Sequence, residues 1–251
     1  MRKKSELQFE LYASNYDFGI NPVRYKYHHS FRVEKIMGIL ADKLKLSKKE
    51  KQIAMLIGLL HDIGRFEQAR LYNVCSDKIT KVDHADQSAI YLFDEGHIKD
   101  FIRDRKYDSI IKDAIKYHNK LEIDKSVTGN NLFFSKMIRD ADKIDIYRVV
   151  SEEITYDFNK DEVSEKVLTD FRNHKTVKNE DKKTKSDDVI SLSAFVYDIN
   201  FKESFEILKE LGNIDKFYSV ISPRENSIEL LNEIKESVYK FIDERGKVWK
   251  N

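Results

Sequence analysis

The chain has 251 residues and sets 45 Lys plus Arg against 44 Asp plus Glu, a formal net charge of +1. That balance argues against a protein held to nucleic acid by phosphate attraction, and the length excludes a small scaffold that needs disulfide staples. With 41% hydrophobic and 35% charged residues the chain is expected to fold, burying about three-quarters of its unfolded surface.

Only 8 Gly and 2 Pro punctuate the sequence, and apolar residues recur three and four apart, so helices should dominate and no strand is expected. The start is basic, but no signal-like apolar stretch follows it. The longest apolar run, Ile53 to Leu60, is too short to cross a bilayer, and Cys75 is the sole cysteine. These features point to a reducing compartment, the cytoplasm, and away from membranes. Val33, Ile36, Met37, Leu40 and Leu44 make one helical stripe over 31–44. Ser47 with Glu50 three places on is a capping box opening a second helix, apolar nearly all round, that ends at His61-Asp62-Ile63-Gly64. Further helices are expected over 84–94, 108–120 and 132–153, with a turn at 126–131. The polar stretch 172–188 reads as a solvated loop or a flap. Helices over 190–201, 205–211 and 227–241 follow, the last with Leu230, Leu231, Ile234 and Val238 on one side. The whole is read as a single all-helical domain.

His61-Asp62 is no signature alone, but a His and an Asp closing so apolar a helix are costly to bury without a partner, and a divalent cation is an economical one. Four more candidate ligands sit on apolar helical faces. His29 lies four before Val33 at the mouth of the first helix, and His118 follows Ile111, Ala114 and Ile115. Asp142 lies four before Ile146, and His84 begins a helix before Ala85 and Ser88. Each has a plainer explanation too: His118 as a hydrogen-bonded core histidine, His84 as a turn residue, Asp142 as a partner of Arg139 or Lys143. A mixed nitrogen and oxygen set suits manganese, iron, zinc, cobalt or nickel, with magnesium also admitted, better than calcium. Such an ion would activate water and polarise a phosphoryl oxygen. Lys26, Arg65 and Lys143, near these ligands in sequence, are the candidate cations for the remaining phosphate oxygens. No phosphate-cradling glycine loop or serine elbow is present, and nothing near Cys75 would activate it as a nucleophile.

The segments Lys26-Tyr-His-His-Ser-Phe-Arg-Val33, Leu59-Leu-His-Asp-Ile-Gly-Arg-Phe-Glu-Gln68, Asp83-His-Ala85, Ile115-Lys-Tyr-His-Asn119 and Ile138-Arg-Asp-Ala-Asp-Lys-Ile-Asp145 follow one another in a specific order. In that order the chain resembles the HD-domain metal-dependent phosphohydrolases over about 24–150, while 151–251 looks like the helical extension of one bacterial subgroup. The resemblance implies an all-α HD bundle in which His29, His61, Asp62 and Asp142 hold a first metal. His84 and His118 then bind a second metal, contact substrate or relay protons, so one or two divalent ions per chain are implied. On the same ground His29 is preferred to His28 and Asp142 to Asp140. The Gly-Tyr-Pro element of the cyclic-dinucleotide branch is missing after the His-Asp pair. The expected substrate is a nucleotide or another small phosphoester, hydrolysed by a metal-bound water. The alternative is a regulatory module that binds a nucleotide without turning it over. The oligomeric state is not legible.

Overall fold

The computed structural model describes residues 2–153 and 155–247. The chain divides into two compact units, Met1–Asp142 and Lys143–Asn251, a boundary that falls before the core-to-extension division placed near residue 150. Helices dominate both, as the apolar spacing predicts, and the protein is all-α in class.

The first unit opens with α1 (Arg2–Ala13). Apolar spacing does not announce this helix, because its buried stripe among the described side chains is Ser5, Phe9 and Ala13, while Leu7 and Leu11 stay exposed. Phe9 meets Phe31 and Phe66 edge-on with ring centroids 5.5 and 5.6 Å away. Helix α2 (Asn21–Lys43) starts ten residues earlier than its stripe suggests, with Pro22 in its first turn. His29 is therefore about two turns inside the helix, not at its mouth.

Helix α3 (Lys48–Leu60) begins as predicted: Glu50 N donates to Ser47 Oγ and Ser47 N donates to Glu50 Oε2. Every residue from Ile53 to Leu60 is buried. α2 and α3 form the most extensive helix pair of the unit. Gly58 permits it: a Cβ there would lie 2.9 Å from Glu34 Cα and 3.0 Å from Glu34 N. Tight backbone approach thus brings the His29 and His61 turns together.

After the turn at His61-Asp62-Ile63 come α4 (Gly64–Tyr72), the one-turn α5 (Asp77–Thr80) and α6 (His84–Ala89), which runs on through a π-helical turn at Ile90–Asp94. Gly64 is the second obligatory close approach, since a Cβ would meet Ser88 N at 2.8 Å and His84 O at 2.9 Å. α7 (Ile98–Phe101) and α8 (Asp108–Tyr117) follow, and α9 (Gly129–Glu153) starts inside the expected 126–131 turn and carries the unit boundary.

The second unit corrects two expectations. Two three-residue strands are present, β1 (Tyr156–Phe158) and β2 (Ile221–Pro223), paired in parallel with Tyr156 opposite Ile221 and Phe158 opposite Pro223. Runs this short carry no readable alternation. The polar stretch 172–188 is also not all loop. Arg172 ends α10 (Glu165–Arg172), and 185–188 open α11 (Lys185–Ser193), where Asp187 is fully buried. Its carboxylate accepts from Ser164 N, Ser164 Oγ, Lys183 N and Thr184 N. A 3₁₀ turn (Ala194–Asp198) replaces the rest of the helix expected to 201. α12 (Lys202–Leu211), α13 (Asn213–Ser219) and α14 (Ile228–Lys247) complete the unit, with Leu231, Ile234, Val238 and Ile242 of α14 in its core. No helix of the described residues is long and apolar enough to cross a membrane.

Candidate metal centre

Four elements of the first unit converge on Asp62. α2 contributes His29, the turn after α3 contributes His61 and Asp62 itself, and α6 contributes His84. His118 is the residue that ends α8. The end of the unit, on α9, adds Asp142. All four histidines are at most 6% exposed, and Asp62 is 2% exposed.

His29 Nε2 lies 3.0 Å from Asp142 Oδ1, 3.2 Å from His61 Nε2 and 3.6 Å from Asp62 Oδ2. His61 Nε2 is 3.5 Å from Asp62 Oδ2 and 3.7 Å from Asp142 Oδ1. On the other side of Asp62, Oδ1 is 3.2 Å from His84 Nε2 and 3.6 Å from His118 Nε2, which are 3.0 Å from each other. Asp62 is thus common to two donor sets, one on each carboxylate oxygen.

The ring tautomers decide what these distances mean. His61 Nδ1 lies 2.7 Å from Gly58 O, His118 Nδ1 is 2.6 Å from Ile115 O, and His84 Nδ1 is 2.6 Å from Asp77 Oδ2. Each partner only accepts, so each Nδ1 carries a proton, and the lone pair of a ring that holds no second proton is at Nε2, facing the cluster. Lone pairs of His84 and His118 at 3.0 Å repel unless a cation or a proton lies among them. Asp62 Oδ1 is buried and receives no well-formed hydrogen bond. Both observations fit a divalent cation, and the nitrogen and oxygen donors suit a transition metal or magnesium.

The charges agree. Burial pushes the Asp62 carboxyl up, but the Lys26 ammonium beside it outweighs this and holds it well below the usual range. Asp142 is likewise held low against burial, chiefly by His29 at 3.0 Å. Burial pulls His118 down to about 4, which keeps that ring neutral near pH 7. Lys26 Nζ sits 2.6 Å from Asp62 Oδ2; burial lowers the amine, and Asp62 more than restores it. Arg65 reaches the same region from α4: its Nε is 3.9 Å from Asp62 Oδ1, buried and donating no hydrogen bond, while Nη1 holds Asp77 Oδ1 at 2.7 Å.

The structure therefore brings His29, His61, Asp62, His84, His118 and Asp142 together, with Lys26 and Arg65 beside them. His28 is exposed, whereas its neighbour His29 is buried. Lys143, chosen for its sequence position after Asp142, belongs to the second unit, where its ammonium is 2.7 Å from Asp198 Oδ2. Burial pushes the Cys75 thiol up, Lys26 and Arg65 opposing, and this leaves it a poor nucleophile.

Sequence reasoning missed the supporting shell. Tyr12 Oη donates to Ile63 O and tethers the His-Asp turn to α1. Ser88 Oγ accepts from Gly64 N and donates to His84 O. Arg139 donates to Tyr117 O, Lys120 O and Leu121 O, closing the carbonyl end of α8 where His118 sits. None of these carries a sequence signal, since each depends on a partner far along the chain.

The HD-domain family model matches residues 27–191, well over half of the chain. The chain belongs to the HD-domain family. The match to the HD domain runs through both compact units, farther than the ordered motifs, which end near Arg148. No curated protein and no solved structure matches the chain. HD domains bind divalent metals and are largely metal-dependent hydrolases, and the His/Asp clusters of this HD chain have donors that could hold such an ion.

Proposed function

We propose that this HD chain is a metal-dependent phosphohydrolase acting on a nucleotide or another small phosphoester. The observation that carries the reading is the division of Asp62 between two donor sets, Oδ2 toward His29 and His61 and Oδ1 toward His84 and His118. A divalent ion bound there supplies an activated water and polarises a phosphoryl oxygen. The remaining work falls to the protein. His29, His61, Asp62 and Asp142 would hold a first ion, and His84 and His118 with Asp62 would hold a second. If only the first set is filled, His84 and His118 are left to hold or pass a proton at Nε2. Lys26, 22% exposed, and the buried N–H of Arg65 are positioned to take phosphate oxygens. Exclusion of bulk water strengthens each of these charges.

The test is phosphate release from a panel of nucleotides and simple phosphomonoesters after manganese loading, with His61→Ala and Asp62→Ala as controls. Release by the wild type that both substitutions abolish supports the reading. Nucleotide binding without any release favours the regulatory module instead.

A further inference from the structure

Beside the second donor set stands a carboxylate with no assigned task. Asp77, the first residue of α5, divides its two oxygens as Asp62 does. Oδ2 faces His84 Nδ1 at 2.6 Å, and Oδ1 accepts from Arg65 Nη1 at 2.7 Å and from Gln68 Nε2 at 3.0 Å. The Gln68 amide cannot turn over, because its Oε1 accepts from Arg65 at 2.5 Å and its Nε2 donates to Thr80 Oγ1 at 2.7 Å. Asn119 Nδ2 is 3.4 Å from Asp77 Oδ2 and 3.3 Å from His84 Nδ1, with its shortest bond, 3.0 Å, to Asp83 Oδ1. Every group on the Oδ1 side is an obligatory donor.

We infer that Asp77 is a positioning residue that sets the tautomer of His84, keeping the proton on Nδ1 and the Nε2 lone pair aimed at Asp62 and His118, while its other oxygen holds Arg65. What the lone pair is for rests on the phosphohydrolase reading, but the tautomer itself does not. Chemistry at this position makes the inference sharp. In Asp77→Asn, Arg65 and Gln68 demand an acceptor at the old Oδ1 position, so the amide oxygen must go there and the NH2 must face His84. Nδ1 can then only accept, the proton moves to Nε2, and the ligating lone pair is lost. Asp77→Ala removes the carboxylate without imposing the wrong tautomer. The nearly isosteric substitution is therefore the more harmful to metal binding, the reverse of what loss of packing gives.

The direct experiment loads the protein with zinc, a diamagnetic ion that satisfies the Nε2 lone pairs. In 15N-histidine-labelled protein at pH 8, long-range 1H–15N correlation separates the protonated from the lone-pair nitrogen of each ring, and His84→Gln assigns the signal. We expect Nδ1–H at His84 in the wild type and Nε2–H in Asp77→Asn. An Nε2–H tautomer or an imidazolium in the wild type overturns the inference, whether or not any variant folds, and so does an unchanged tautomer in Asp77→Asn. Manganese titration is the second readout: Asp77→Asn should weaken the ion of the second set by about 10–100-fold and Asp77→Ala by less. Equal losses, or the opposite order, also overturn it. Absence of phosphate release by the wild type would sink the hydrolase reading and leave the tautomer result standing.

Discussion

Gly58→Ala tests the claim that close packing of α2 on α3 builds the centre. The new methyl would meet Glu34 Cα at 2.9 Å, Glu34 N at 3.0 Å and Met37 Cγ at 3.0 Å. Two of these atoms are backbone and cannot rotate away. Restoring an ordinary contact of 3.4 Å requires the helices to separate by about 0.5 Å, a displacement carried toward the 3.2 Å His29–His61 pair. Overpacking of this kind costs roughly 1–3 kcal/mol, and the better helix propensity of Ala returns about 1. A net loss of up to about 2 kcal/mol is expected in urea unfolding of the first unit, together with weaker manganese binding. Gly38→Ala supplies the internal comparison, because its methyl would meet only the Met55 side chain, whose nearest atom is Sδ at 3.3 Å. That flexible thioether can yield, so Gly38→Ala should be neutral to about 1 kcal/mol stabilising and bind metal normally. If Gly58→Ala is as stable as Gly38→Ala and binds manganese like the wild type, the packing argument is wrong.

Saturating the centre at 100 times its dissociation constant should stabilise the first unit by about 2.7 kcal/mol; differential scanning fluorimetry should show the midpoint rise in the wild type and not in Asp62→Ala. Arg139→Ala strips donors from the carbonyls of Tyr117, Lys120 and Leu121, so a loss of roughly 2–4 kcal/mol is expected by urea titration, with His118 the ligand most disturbed. Burial raises the Asp187 carboxyl, but bonds from Lys183, Ser164 and Thr184 outweigh it and leave the folded pKa below the usual 3.8. The stability this group contributes is thus complete above the unfolded pKa and lost as pH falls through the folded one. Asp187→Asn should be less stable than the wild type by about 1–2 kcal/mol at pH 7, a gap that closes in acid; a constant gap from pH 7 to 2 would contradict the assignment.

Local rules made much of this protein legible. The Ser47/Glu50 box and the apolar run behind it announce α3 and the position of the His-Asp turn, because capping and helical periodicity act within a few residues. Residues singled out for the helical faces they occupy, His29, His118 and Asp142, all lie in the cluster. Weak or short signals failed. α1 buries too narrow a stripe to be seen, β1 and β2 are too brief to alternate, and Asp187 looked like loop because its partners lie at Ser164 and along 183–184.

What the amino-acid order determined alone was the helical class, the succession of motifs and the kind of donor atoms available. Which donors face one another was decided only when the chain closed: Asp62 has two oxygens in any conformation, but packing gives each its own pair of imidazoles. The same holds for Asp77, an unremarkable acid in a polar stretch until the fold sets it between Arg65 and His84. Lys143, next to Asp142 in sequence, has its ammonium paired with Asp198, fifty-five positions on. Tautomers, shared carboxylates and ion pairs depend on separations of a few ångströms between residues tens of positions apart, a scale that no local pattern encodes.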